Sequence, residues 1–200
     1  MPLDDVIEKS RRWMTEAAAL VDGSSFSTTN RTRVSVSLHH LCIEHHTGIH
    51  TLVDHGVLGS GFALFRPQFE AYVRGAWYCF CASDDEIMRF LRGAEPPRID
   101  RLIEQLESRG AFDQGTLRRM KSELWRSLCD FTHGGSIQVK ARNTRDEVVR
   151  NYKLEHVAGL LTASATLSLL AGVGIAAAID SESLATKLHD AYQSIYEKAA

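Results

Sequence analysis

The run Phe62-Ala-Leu-Phe-Arg-Pro-Gln-Phe-Glu-Ala-Tyr-Val-Arg-Gly-Ala-Trp-Tyr-Cys-Phe-Cys81 decides how this chain folds. Phe62, Phe65, Phe69, Trp77 and Phe80 fall at spacings that predict a helix with much of its surface buried. Arg66, Glu70 and Arg74 recur every four residues within it and therefore stack on one face, with charge alternating +, −, +. Taking an ion out of water costs several kcal/mol, so such charges call for partners. Pro67 implies either a kink or a helix that begins near it, with proline in its first turn.

Outward from this segment nearly everything reads as helix. Leu3 to Val21 carries Val6, Trp13, Met14, Ala17 and Leu20 at helical spacing, and Gly23 to Asn30 is a turn-rich link. A second helix runs from about Arg33 to His55 and stops at Gly56. Ser83-Asp-Asp-Glu86 is a capping box opening a short helix through Leu91. Ile99, Leu102, Ile103 and Leu106 form one apolar stripe, closed by Gly110. Leu117, Met120, Leu124, Leu128 and Phe131 form another, closed by Gly134-Gly135. Ser136 to Tyr152 is polar and irregular, with a short strand expected at Ile137-Gln-Val-Lys. An uncharged helix and a final amphipathic helix, Ser183 to Ala199, complete an all-α bundle of seven or eight helices. With no linker in its 200 residues, the chain is expected to be one domain, 1–200.

The totals narrow the function. A net charge of −2 supplies no global field for nucleic acid, so any anion site must be local. Cys42, Cys79, Cys81 and Cys129 include no Cys-x-x-Cys pair, which fits reduced thiols in a cytoplasmic protein. The acidic, polar start Met-Pro-Leu-Asp-Asp is unlike a signal peptide. Val157 to Ile179 is free of charge and at about 34 Å is long enough to span a bilayer. Its Gly, Ser, Thr and Ala dilute the larger apolar residues, which favours a central helix of small residues and no membrane partner.

Three groups of residues carry chemistry. His46 and His50, four apart on the second helix, share a face and are candidate metal ligands, though a stable site needs a third or fourth. No cofactor is expected. Glu70, flanked by two arginines, is held as a carboxylate, which suits it to orienting Arg66 or Arg74 toward an anion rather than to donating a proton. Arg126 and His133 lie seven apart, two turns along one face, with Asp130 between them. The helix C-terminus and that carboxylate both favour charge on His133, a histidine suited to proton transfer near neutrality.

Arg126, six residues, then His133 resembles the Arg-(four to six)-His pattern of HEPN ribonucleases. Ser127 departs from the Asn, Asp or His often found after that arginine. The resemblance implies a small all-α domain that dimerises and cleaves RNA without metal, with His133 and Arg126 acting on the scissile phosphate. A second likeness spans more of the chain. Arg66-Pro-Gln-Phe-Glu-Ala-Tyr-Val-Arg-Gly-Ala-Trp77, Phe131-Thr-His-Gly-Gly135 and Asn151-Tyr152 resemble a bacterial helical family of unknown function with a HEPN-like layout. It implies a shared site of Arg66, Glu70, Arg74 and His133.

Two functions follow as expectations. One is metal-independent RNA cleavage or RNA binding in a pocket between the ladder helix and the helix of His133, aided by basic Lys140, Arg142, Arg145 and Arg150. No aromatic residue interleaves those four, so they form no stacking platform. The alternative is a non-catalytic module that grips a nucleotide or small anion through the Arg-Glu-Arg ladder. A homodimer is expected, with the Gly/Ala-rich helix as a possible contact between copies.

Overall fold

The computed structural model describes residues 2–110 and 115–197. Among them are nine helices: α1 (Leu3–Val21), α2 (Asn30–Asp54), α3 (Leu58–Phe80), α4 (Asp84–Leu91), α5 (Ile99–Ser108), α6 (Thr116–His133), α7 (Ser136–Lys140), α8 (Leu154–Ala178) and α9 (Glu182–Tyr196). The fold is all-α. The expected end of the last helix, at Ala199, lies outside the described residues.

Helix α3 packs chiefly on α2 and is flanked by α5, α6 and α8. Phe62, Phe65, Phe69 and Trp77 are buried in it, whereas Phe80, at its end, is exposed. The helix starts nine residues before Pro67 and continues beyond it, so proline neither opens it nor ends it. Pro67 has no N–H for the carbonyl of Ala63. The hydroxyl of Thr132, on α6, lies 3.4 Å from that carbonyl while donating to Leu128 O at 2.7 Å. Proline thus leaves a polar backbone group turned toward the end of α6, where His133 sits.

Helix α8 is the centre of the bundle, packed by α1, α2, α3 and α9. It is the one described helix long and apolar enough to cross a membrane, and 56% of its most apolar window is buried inside the fold. Its small residues have a use. His39 of α2 wedges between Gly75 of α3 and Gly174 of α8, against both backbones, where a Cβ on Gly174 would run into the imidazole. Burial pulls the pKa of His39 down to about 4, so the ring is neutral.

A buried polar chain ties four helices together. Gln68 donates through Nε2 to the carbonyls of Cys42 and Ser164, so its Oε1 accepts from the Ser164 hydroxyl at 2.7 Å. That spends the serine proton, and Nδ1 of His46, 2.9 Å away, must donate to Ser164. Burial drives the pKa of His46 down to about 3, which leaves Nε2 as an acceptor for Ser10 at 3.4 Å. Nδ1 of His50 then donates to Ser10 at 3.0 Å. Every side-chain to side-chain hydrogen bond in this chain runs inward, from His50 to Gln68.

Two local expectations change. Ile137-Gln-Val-Lys is helix, not strand. The β-branched residues suggested a strand, but the Asp130 side chain accepts from the backbone N–H of Ile137 at 2.7 Å and so caps a helical turn. Helix α2 begins at Asn30, three residues earlier than expected, because Thr29 and Thr32 form a reciprocal capping box. The box at Ser83 and Glu86 is present as read from the sequence.

Candidate functional site

The ladder occupies the partly buried flank of α3, with Arg66, Glu70 and Arg74 side chains 22%, 19% and 36% exposed. Helical spacing alone delivers the geometry. Arg66 Nε donates to Glu70 Oε1 at 2.9 Å and Arg74 Nη2 to Glu70 Oε2 at 2.8 Å, so one carboxylate is shared by two guanidiniums. A single positive charge is left over. The Nε of Arg74 is buried without a hydrogen-bond partner.

The structure brings His133 to this ladder. Its Nε2 lies 2.9 Å from Arg66 Nη1, which also reaches Cys129 Sγ at 3.4 Å. A guanidinium only donates, so Nε2 must accept, and the histidine proton sits on Nδ1. The guanidinium of Arg66 also lies over Trp125, 4.7 Å from the ring centroid. Four residues of α6 and α3 thereby converge on one arginine.

Ladder and histidine line a cavity of about 350 Å³ between α2, α3 and α6, which also includes Thr132, Pro67 and His45. Leu38, Leu41 and Ala71 make its apolar wall. His45 escaped notice among the five histidines of α2, because periodicity does not say which of them turns to the α6 side. Burial lowers its pKa, partly countered by Glu44, and so favours the neutral imidazole.

The remaining sequence candidates lie elsewhere. Arg126 is exposed and is not among the residues lining the cavity of His133, although the two share a helix. Asp130 does not serve His133. Its carboxylate accepts from Ile137 N and Gln138 N at 2.7 and 3.4 Å, and caps α7. Gly134, at φ +69°, terminates α6, and Gly135 leaves room for that carboxylate, which a Cβ would strike. His46 and His50 both address Ser10 rather than a shared vacant position. No group of three or more metal-ligand side chains occurs among the described residues.

Of the basic residues after α6, Arg150 donates to Gly56 O at 2.7 Å and ties this segment to the turn before α3. Tyr152 stacks on Phe62, which stacks on Phe131 at 4.5 Å, and its hydroxyl donates to Gln138 at 2.8 Å. The Phe131 and Tyr152 positions of the sequence pattern therefore brace the end of α6 and do not reach the cavity. Their part in the site is to hold the helix end that carries His133.

No curated protein and no solved structure matches this chain. A family model does match, over residues 39–198, a span that includes every residue of the cavity except Leu38. The chain belongs to that family, a family of unknown function (DUF6988).

Proposed function

We propose that the cavity between α2, α3 and α6 binds a small phosphate-bearing ligand, a nucleotide or similar anion, through Arg66 and Arg74. The observation that carries this reading is the shared carboxylate: Glu70 offsets one of the two guanidiniums and leaves one positive charge beside a cavity. Donors held in place by a carboxylate are preorganised for an anion, with less side-chain entropy to lose on binding. The volume of about 350 Å³ falls within the usual range of about 300–1,000 Å³ for small-molecule sites. Thermal denaturation against a panel of nucleotides and inorganic phosphate tests it. At a ligand concentration about 100 times Kd the native state gains about 2.7 kcal/mol, an easily measured rise in Tm. A Tm unmoved by every member of the panel would refute the reading.

A second reading, metal-independent RNA cleavage of HEPN-like type, is favoured by the hydrogen bond between Arg66 and His133 at 2.9 Å. Nε2 of His133 becomes a proton acceptor once an arriving phosphate draws Arg66 away, and Arg66 with Arg74 would balance the charge that develops. In this reading Arg66 takes the role first given to Arg126. Single-stranded RNA left whole by the wild-type protein, or cut equally well by His133→Ala, would exclude it.

A further inference from the structure

Arg66, Glu70 and Arg74 line a second cavity, of about 570 Å³, on the side of α5 and α6. The ladder is thus a wall between two chambers and presents its guanidiniums to both. Three further groups distinguish the second chamber. Lys121 is 17% exposed and lies 4.9 Å from the centroid of Trp125, whose ring also lies beneath Arg66. The guanidinium of Arg98 has no ion pair or hydrogen bond among the described residues, although its carbonyl accepts from Arg101 and Leu102, and it lines the same space. The carboxylates present are Glu70, Glu95 and Asp100. Asp100, the partner of Lys121, is 74% exposed and on the water side of the pair. Solvent screens an exposed carboxylate more than an inward-facing cation, so the inner lining is positive.

We infer that the second chamber is a further anion subsite, and that the ligand of this cleft carries two phosphate groups, one on each side of the Arg66–Glu70–Arg74 wall. The inference rests on the anion-binding reading of the first chamber and adds the class of ligand. Each phosphate meets a ladder guanidinium and a second group: His133 in the first chamber, Lys121 and Arg98 in the second. Trp125, with both Arg66 and Lys121 over its ring, gathers these two cations at the cavity through cation–π contact. That pairing is assembled from α3 and α6, out of reach of a search for aromatics within one basic segment. Two phosphates joined within one nucleotide, or carried on neighbouring nucleotides, present the same chemistry.

Titration calorimetry with AMP, ADP and the dinucleotide pApA separates the cases. Two-phosphate ligands should bind about tenfold or more tightly than AMP, because the second contact becomes intramolecular. Preference for ADP assigns adjacent phosphates, and preference for pApA assigns a strand backbone; either supports the inference. Arg98→Ala, at an exposed position whose side chain has no partner, should remove a large part of that advantage, lowering two-phosphate affinity by more than AMP affinity. Lys121→Met should do the same, with helicity and Tm recorded beside it. Equal affinity for all three ligands overturns the second subsite and leaves the single-anion reading standing. Failure of all three to bind overturns both.

Discussion

Arg66 and His133, 67 positions apart in the chain, meet at 2.9 Å with the arginine as donor and the histidine Nε2 as acceptor. The contact closes the ladder onto the end of α6 and makes one site from two elements. It also fixes the proton of His133 on Nδ1 as long as the contact holds. Protonation of Nε2 would set two cations face to face and separate them.

His133→Ala should therefore cost little stability, about 1 kcal/mol or less, because the ring is exposed and its loss leaves Arg66 paired with Glu70. Anion affinity should fall. Urea denaturation and calorimetry on the same variant check the two halves. A large loss of stability would make His133 a structural residue.

Glu70→Gln keeps the side-chain shape and removes the charge between two guanidiniums. The pair is partly buried, between the exposed and fully buried limits, so destabilisation of about 1–3 kcal/mol is expected. The amide oxygen still accepts from an arginine while the ladder's net charge rises from one to two, so phosphate or a nucleotide should raise the Tm more than it does in the wild type. A scaffold without an anion site would show the destabilisation alone.

The buried histidines set a pH dependence. His39 and His46 have folded-state pKa values lowered to about 4 and about 3, whereas an unfolded chain titrates near 6.5. Their contribution to stability is complete above about pH 6.5 and is lost as pH falls toward 4 and 3, with a slope of up to about 1.4 kcal/mol per pH unit for each. Urea midpoints near pH 7.5, 6 and 5 should decline in that order. A flat profile would contradict the neutral, buried state of both rings.

Gly174→Ala places a methyl group against the imidazole of His39 at the packed crossing of α2 and α8. Neither backbone there is free to shift, and overpacking of this kind costs about 1–3 kcal/mol. The measurement is the denaturation midpoint. The double variant Gly174→Ala, His39→Ala should be less destabilised than the sum of the two single variants.

Helix existence was legible wherever one apolar stripe alternates with charge, as at Leu102, Ile103 and Leu106 of α5. So were the Ser83 box and the Gly134 stop, whose signals lie within a few residues of each other. What escaped depends on distant partners. Asp130 reads as a neighbour of His133 until the turn at Gly134 and Gly135 carries α7 back over its carboxylate. Thr32 is not the Glu or Gln that a capping box usually places there, so the sequence pattern starts α2 three residues late. His45 and Trp125 belong to the cavities only because α2 and α6 approach α3 at particular rotations. Those rotations depend on packing that involves several helices at once.

The chain from His50 through Ser10, His46 and Ser164 to Gln68 has one direction, and this limits how the protein can vary. Each member both gives a proton to the next and takes one from the last, except at the ends. Exchange of one member for an apolar residue strands a donor on one side and an acceptor on the other, deep in the core. Replacing a contiguous pair with apolar residues of matching volume strands no more groups than replacing one. The positions on α1, α2, α3 and α8 therefore behave as a set, to be inherited or exchanged together, and a substitution harmful by itself becomes tolerable in the right company.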